Sequence, residues 1–363
     1  MNKWTFAILA LAVVTSPAAA AQPSSAAETF TVGTAAAQRG TVAFGALDVA
    51  AGSDTGTTIP VIVVNGARSG PVVAAVAGSH GTEYASIVAL TQLASRIDAS
   101  RLSGTVIIAP LLNVASFEQM TVHVNPVDRK GMNSQYPGDA NGSQTQRTLA
   151  VVADQIVKRA STIIDLHGGD LDEELVPYSY WMRSGDAAAD EASLALVLAF
   201  GLDRVIVNDV DLANSASTRS LSGYSLSLGK TVVVAEAGAS GVVRPADVAA
   251  LVDGCLNVMA ALHMIERNVR PVEHPVWLGS GARVRAEAAG IFVPSVAGGT
   301  FVSNGMRVGT MTDYYGRLVS EIRAPLAGVV TFIRGVPSAW KDATLVNVAP
   351  VLSEPPAYRK PER

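Results

Sequence analysis

Residues 71–97 read PVVAAVAGSHGTEYASIVALTQLASRI. The first seven residues form a short apolar run, which is typical of a buried strand, and residues 84–97 carry apolar side chains at helical spacing. Glycines flank the turn between them, where His80 and Glu83 stand three positions apart. A strand, a tight polar turn and a helix in this order are the unit from which α/β sheets are built. The segment therefore predicts an α/β fold with polar side chains collected at a strand end.

The same alternation continues through most of the chain, from residue 41 to residue 268. Short apolar runs rich in β-branched residues alternate with segments whose apolar side chains recur at helical spacing. We predict strands at 59–64, 71–77, 105–109, 162–166, 204–207 and 231–235, and helices at 84–97, 148–160, 194–200 and 246–265. Because strands covered by helices on both faces are apolar almost throughout, this pattern predicts a three-layer α/β domain with a mixed, largely parallel sheet.

The composition changes after residue 268. Residues 269–352 contain short strand patterns and frequent glycines, with no helical period. This predicts a small all-β domain of the barrel or sandwich type. The domain could narrow the mouth of a site on its neighbour or form contacts in a homo-oligomer, and the sequence favours neither. The proline-rich segment 353–363 is expected to be a disordered tail.

The N-terminus has the composition of a targeting segment. Lys3 precedes an apolar run at 4–14, and small residues suited to cleavage follow at 16–21. Together they predict a cleavable signal peptide over 1–21, followed by a loose leader at 22–40 that is rich in Ala, Ser and Gln. The apolar run is too short to span a bilayer comfortably, and no later segment has the pattern of a membrane span. We therefore expect a periplasmic or secreted protein.

The charge of the chain argues against two classes of partner. Its 363 residues carry a net charge of −4, with a sequence pI near 5.8. There is no basic stripe of the kind that binds nucleic acid, and no polybasic run of the kind that binds a lipid surface. The one cysteine, Cys255, allows no intrachain disulfide, which a chain of this length does not need in order to bury a core.

A second histidine follows another predicted strand. The apolar run 163–166 ends at His167, which two glycines follow. Because ligands bind at the carboxyl ends of strands in open α/β sheets, we expect His167 beside His80 and Glu83. Two imidazoles and one carboxylate are a catalytic zinc set that leaves a position open for water, whose pKa the ion lowers towards about 7. Spacing alone leaves a metal site and two structural histidines equally open.

Two further acids lie at the same predicted edge. Asp165 stands two residues before His167, so both side chains should share one face of the strand, where Asp165 can accept the second N–H of the imidazole. Glu236 ends the apolar strand 231–235, and a carboxylate that is not needed as a ligand suits a general base. Either acid, taken alone, could also be a polar residue that closes a strand.

Taken together, these residues resemble the succinylglutamate desuccinylase/aspartoacylase family, within the larger zinc carboxypeptidase group. The matching segments are GSHGTE at 78–83, LNVASF at 112–117, GMNSQYPG at 131–138, DLHGG at 165–169 and EAG at 236–238. The resemblance implies a zinc carboxypeptidase-like catalytic domain over 41–268. It implies one zinc ion as cofactor, held by His80, Glu83 and His167, with Glu236 as general base. It also implies removal of an acyl group from an acylated amino acid or related amine.

The sequence departs from the family pattern at two positions. Ser134 follows Asn133 where the family usually has an arginine that grips a substrate carboxylate, and 120–126 lacks the arginine that assists a developing oxyanion. Their loss removes bidentate carboxylate recognition and one source of transition-state stabilisation. His123 falls close to the second missing arginine, Asn133 could donate its amide, and Arg147 could supply a cation. These three are our candidate substrate-binding residues.

The leading hypothesis is an exported zinc-dependent amidohydrolase of the deacylase type, acting on an N-acyl amino acid or related small molecule. Two alternatives stay open. A metallocarboxypeptidase that trims peptides is disfavoured by the missing arginine after Asn133. A degenerate protein that keeps the metal but performs no chemistry is favoured by the missing arginines and disfavoured by the retained Glu236.

Overall fold

The computed structural model describes residues 29–361. The predicted signal peptide, 1–21, and the first part of the predicted leader, 22–28, lie outside the described residues. Between residues 29 and 361, no helix combines the length and the apolar character that crossing a membrane requires.

The secondary structure follows the predicted alternation of strands and helices. The strands are β1 Thr29–Val32, β2 Ala35–Gln38, β3 Thr41–Val49, β4 Thr57–Asn65, β5 Arg68–Val76, β6 Ser103–Ala109, β7 Thr162–His167, β8 Glu173–Leu175, β9 Tyr178–Arg183, β10 Arg204–Asp209, β11 Thr231–Glu236, β12 Val276–Leu278, β13 Ala282–Arg285, β14 Gly290–Pro294, β15 Phe301–Val302, β16 Arg307–Thr312, β17 Leu318–Arg323, β18 Gly328–Arg334, β19 Ser338–Ala339, β20 Thr344–Ala349 and β21 Val351–Leu352. The α-helices are α1 Tyr84–Leu93, α2 Val114–Gln119, α3 Gln144–Gln155, α4 Ala187–Phe200, α5 Leu221–Ser227 and α6 Pro245–Ala261. Short 3₁₀ helices cover Ala94–Arg96, Met132–Ser134 and Val157–Arg159.

Ten strands form one large mixed sheet, in the order β21-β12-β10-β9-β11-β7-β5-β6-β4-β3. Its centre is parallel, because β7 pairs in parallel with both β5 and β11, while β9 runs antiparallel to β11. Successive residues of a strand point to opposite faces. Val73 and Ala75 accordingly pack with α1, α4 and α6 on one face, and Ala74 and Val76 pack with α3 and α5 on the other. The predicted three-layer α/β domain is confirmed.

The small all-β domain consists of two sheets around one core. One sheet has the order β13-β20-β18-β15 and the other β17-β16-β14-β19. Phe292, Val308 and Val346 are among the buried side chains between them. Strand β8 of the catalytic domain pairs with β18, so the two domains share hydrogen bonds. Strands β12 and β21 extend the large sheet instead, which places the start of the small domain at β13, later than the predicted residue 269.

The structure differs from our expectation at both ends of the described chain. Within the predicted loose leader, β1 and β2 form a hairpin, because Val32, Ala35 and Ala37 alternate with exposed residues and bury fully against the sheet. Within the predicted disordered tail, residues up to 361 follow a fixed course. Arg183 Nη1 donates to the carbonyl of Pro356 at 2.6 Å, so the tail packs on the end of β9.

Candidate metal centre

The turn after β5 brings His80 and Glu83 together. Gly78 adopts a φ of 69°, and a Cβ there would stand 2.9 Å from Leu111 Cα, so the chain can turn this sharply only with glycine. Glu83 is then the N-cap residue directly before α1. As a result, His80 Nδ1 lies 2.6 Å from Glu83 Oε1.

Strand β7 supplies the third member of the site. It runs parallel to β5, with Asp165 opposite Val76, and ends at His167. His167 Nδ1 lies 2.9 Å from Glu83 Oε2, so two imidazole nitrogens face the two oxygens of one carboxylate. One donor atom from each of His80, Glu83 and His167 lies within 4.8 Å of the others. The predicted trio therefore converges, with donor types that bind a divalent metal ion.

The charges around this trio also suit a cation. Burial alone would raise the pKa of Glu83, but His80 and His167 lower it to about 2, so the carboxylate stays ionised. Burial would lower the pKa of His167, but Asp165 and Glu83 raise it well above its usual range. The site thus holds a positive charge on an imidazole that is almost fully buried, and a bound metal ion would take over that charge.

Asp165 and Asn133 both approach the outer nitrogen of His167. Asp165 Oδ1 lies 3.2 Å from His167 Nε2, and Asn133 Nδ2 lies 3.2 Å from the same atom. An imidazole that binds a metal through Nδ1 carries its proton on Nε2, where it can be donated only to an acceptor. Asp165 is the carboxylate that lies close enough to serve as that acceptor, and this role stays a prediction. Asn133 contacts the candidate ligand His167, and it also lines the cavity that opens over the trio.

Glu236 lies beside His167 on the neighbouring strand. The two residues face each other in the parallel register of β11 and β7. Burial raises the pKa of Glu236 well above its usual range, and the nearby carboxylates of Glu83 and Glu173 raise it further, against the effect of His167. A carboxylate with a raised pKa in a cavity suits proton transfer near neutral pH.

His123 belongs to a cluster of acids that the sequence reasoning missed. Its Nδ1 lies 3.1 Å from Asp170 Oδ2, and its Nε2 lies 3.4 Å from Asp172 Oδ1 and 3.9 Å from Glu173 Oε1. The ring stands edge-on to that of His80, with the ring centroids 6.0 Å apart. The one feature of the sequence that could have indicated this cluster is the acidic run DLDEE at 170–174, directly after the DLHGG segment.

Arg147 does not reach this site, contrary to our prediction. It lies in the first turn of α3, where its Nη2 pairs with Asp54 Oδ1 at 2.7 Å and its Nε donates to the carbonyl of Ala50 at 2.9 Å. The side chain is almost fully buried by these contacts. Arg147 therefore fastens the loop after β3 to α3 and has no donor left for a substrate in the cavity.

Replacing Arg147 should consequently affect stability rather than binding. Arg147→Met leaves the Asp54 carboxylate and several carbonyl groups without a donor, so we expect the free energy of unfolding to fall by about 3 kcal/mol. Urea denaturation measures this loss. The exposed pair of Arg101 and Glu266 provides the control, since Arg101→Met should cost less than about 1 kcal/mol. Unchanged stability together with a raised KM would return Arg147 to a binding role.

A cavity of about 850 Å³ opens over the trio. One part of its lining comes from the large sheet and the turns at its edge. The small domain and the segment that leads into it contribute Ser280, Gly281, Arg283, Phe332, Thr344 and Asn347. Arg283 is the one arginine among the described residues that line the cavity, and sequence reasoning did not single it out.

Known proteins resemble this chain over the residues that form the site. The family model of the succinylglutamate desuccinylase/aspartoacylase catalytic domain matches residues 69–262. This span begins in β5 and ends just after α6, so it contains His80, Glu83, His167 and Glu236. The chain belongs to the succinylglutamate desuccinylase/aspartoacylase family. The predicted family is therefore confirmed.

One relative and two solved structures illustrate the membership. The N-alpha-acetyl-L-2,4-diaminobutyric acid deacetylase of Halomonas elongata is 28% identical over 304 residues, which cover 81% of this chain and 86% of that protein. The product-bound ectoine utilization protein EutE (DoeB) of Ruegeria pomeroyi has a TM-score of 0.77 at 22% identity, over 85% of this chain and 95% of that one.

A succinylglutamate desuccinylase/aspartoacylase of Rhodobacter sphaeroides has a TM-score of 0.76 at 22% identity, over 86% of this chain and 96% of that one. The two structures establish the fold. The family and the Halomonas deacetylase support the predicted class, a hydrolase that acts on amides.

Proposed function

We propose that this protein is an exported zinc-dependent deacylase that hydrolyses the amide bond of an N-acyl amino acid or a related small molecule. The observation that carries the proposal is the convergence of His80, Glu83 and His167 beside Glu236, at the floor of one cavity. Two imidazoles with one carboxylate are the donor set of hydrolytic zinc sites. When bound, zinc supplies a Lewis acid that polarises a carbonyl group and lowers the pKa of water.

Glu236 carries out the proton transfers of the proposed reaction. Its carboxylate takes a proton from the attacking water as the water oxygen bonds to the amide carbon. The same proton then passes to the nitrogen as the carbon–nitrogen bond breaks, which gives a carboxylic acid and an amine. We assign to Asp165, whose Oδ1 lies 3.2 Å from His167 Nε2, the role of orienting this imidazole relative to Glu236.

The lining of the cavity supports a small amino-acid-like substrate. The Halomonas relative is named for removing the acetyl group of N-alpha-acetyl-L-2,4-diaminobutyric acid. Diaminobutyric acid, the product of that reaction, carries a carboxylate and two amines. Arg283 is the side chain that we assign to the substrate carboxylate, because it lines the cavity and forms no ion pair with any residue between 29 and 361. Arginine binds carboxylates through two parallel hydrogen bonds.

Hydrolysis by protein stripped of metal and reloaded with zinc tests the proposal. We expect release of amine from an N-acyl amino acid panel only after zinc is added. Release of C-terminal residues from peptides, with the N-acyl amino acids left intact, would instead identify a metallocarboxypeptidase. Zinc binding with no hydrolysis of either panel would identify the degenerate binding protein.

Arg283→Gln should raise KM for N-acyl amino acids with a free carboxylate about 10- to 100-fold, since a hydrogen bond to a charged group contributes about 1.5–3 kcal/mol. The same substrates with the carboxylate converted to an amide should respond far less. Arg285→Gln is the matched control, because Arg285 lies on the same strand but donates to the carbonyl of Asp342. Equal effects of Arg283→Gln on both substrate sets would show that Arg283 does not bind the substrate carboxylate.

Export is the remaining part of the proposal, and it rests on the signal-peptide pattern of residues 1–21. Expression of the full chain in a Gram-negative host should give periplasmic protein that begins near residue 21 or 22. Full-length protein retained in the cytoplasm would contradict export and leave the proposed chemistry untouched.

A further inference from the structure

A second cluster of donor atoms stands beside the first. His123, Asp172 and Glu173 each present one donor atom, and these three atoms lie within 4.8 Å of one another. None of them belongs to the trio of His80, Glu83 and His167. They come from the loop after α2 and from the segment that follows β7, so the fold brings together residues about fifty positions apart.

Asp170 fixes the direction in which His123 points. Its carboxylate is fully buried, accepts a hydrogen bond from Thr82 Oγ1, and accepts the backbone N–H of His123 at 2.9 Å. The same Asp170 oxygen lies 3.1 Å from His123 Nδ1. A carboxylate behind one imidazole nitrogen leaves the other nitrogen free to bind a metal, as in carboxylate–histidine–metal arrangements. His123 Nε2 therefore faces Asp172 and Glu173.

The spacing in front of Nε2 matches a coordination shell better than a hydrogen bond. His123 Nε2 lies 3.4 Å from Asp172 Oδ1 and 3.9 Å from Glu173 Oε1. Hydrogen bonds from nitrogen to oxygen are typically about 2.7–3.2 Å long. Two ligands of a tetrahedral ion, each at about 2.0–2.2 Å, stand about 3.4 Å apart.

Asp172 provides an independent observation. Its side chain is only 9% exposed, and Oδ2 pairs with Arg334 Nη1 at 2.9 Å. Its other oxygen, Oδ1, is buried, lies 3.4 Å from His123 Nε2, and has no hydrogen-bond partner among residues 29–361. A buried carboxylate oxygen without a partner is costly unless a cation completes its environment.

The charge of the cluster also favours a divalent ion. Asp170, Asp172 and Glu173 surround His123, and Arg334 balances one of the three carboxylates. Two carboxylates thus remain opposite one imidazole, which is the charge that a divalent ion neutralises.

We propose that His123, Asp172 and Glu173 form a second divalent-cation site, oriented by Asp170 and adjacent to the site of His80, Glu83 and His167. One imidazole and two carboxylates suit Zn²⁺ and comparable first-row ions. The site opens into the same cavity, since His123 and Glu173 line it together with the first trio. The inference extends the proposed function but concerns a separate set of ligands.

Zinc content tests the proposal independently of activity. The full chain is stripped of metal with a chelator, dialysed against Zn²⁺ alone, and its zinc measured by mass spectrometry. We expect two equivalents in the wild type and one in His123→Ala. Asp172→Asn is a further variant of the second site, but it breaks the pair with the buried Arg334, so its folding is checked by circular dichroism. If Asp172→Asn does not fold, Glu173→Gln replaces it. His274→Ala, at an exposed histidine outside the cavity, is the matched control and should keep two equivalents.

The result that would overturn the second site is one equivalent in the wild type that His80→Ala removes and His123→Ala leaves intact. The proposed deacylase would survive that result, because its own site would still be filled. No zinc in the wild type would overturn both proposals. One equivalent in His80→Ala that disappears when His123→Ala is added would support the second site directly.

Discussion

Glu236→Gln should lower kcat for amide hydrolysis by about 10³-fold while the zinc content stays unchanged. The substitution keeps the size of the side chain and removes the group that accepts and returns the proton. Glu236 faces His167 across the register of β11 and β7 and is not one of the three candidate ligands, so metal binding should survive. Steady-state kinetics and metal analysis of the same preparation measure both quantities.

The control for this prediction is a glutamate outside the cavity. Glu266 forms an exposed pair with Arg101, and Glu266→Gln should leave kcat unchanged. Activity within about tenfold of the wild type in Glu236→Gln would contradict the general-base role, because loss of a general base typically costs about 10²–10⁴ in rate. Another group in the cavity would then have to accept the proton.

The sequence predicted the part of the site that depends on strand ends. His80, His167 and Glu236 each follow or close a short apolar run, and parallel neighbours in a sheet bring such ends together. Local pattern and topology therefore suffice for these residues. The same reasoning predicted that Asp165 lies behind His167, since residues two apart on a strand share a face.

The contacts of Arg147 and His123 could not be predicted from the sequence, because their partners are distant in the chain. We expected Arg147 in a loop, because it precedes the predicted helix 148–160. A capping box between Ser143 and Gln146 starts α3 earlier, so Arg147 lies inside the helix. Its carboxylate partner, Asp54, is 93 residues away, and no periodic pattern joins them. His123 likewise acquires its acidic neighbours from the segment after β7, which only the folded chain places there.

Arg283 illustrates a third kind of limit. It lies on an edge strand of the small domain, where alternating exposed residues indicate a solvent-facing side. That strand lies over the catalytic cavity because β8 pairs with β18 and because β12 and β21, which flank the small domain, belong to the large sheet. A role for the small domain in substrate binding could therefore not be inferred from its strand pattern.

His167→Ala should remove one zinc equivalent and reduce amide hydrolysis to background. The variant keeps only His80 and Glu83, and it leaves the Glu83 carboxylate without the imidazole that lies 2.9 Å from it. Zinc at 100 times its dissociation constant stabilises a folded protein by about 2.7 kcal/mol per site, so the first site's share of zinc-dependent thermal stabilisation should also disappear. His274→Ala should retain all three properties of the wild type.

Proton release distinguishes loss of the ligand from general damage to the fold. Burial works against protonation of His167, but Asp165 and Glu83 raise its pKa well above the usual range, so the metal-free imidazole is protonated at neutral pH. A metal must expel this proton, and the zinc affinity of the wild type should therefore rise as the pH rises. Calorimetric titration with zinc in buffers of different ionisation enthalpy counts the protons released. Because His167→Ala binds no zinc at the first site, it should release at least one proton fewer than the wild type, and an equal count in both proteins would show that zinc does not bind through His167.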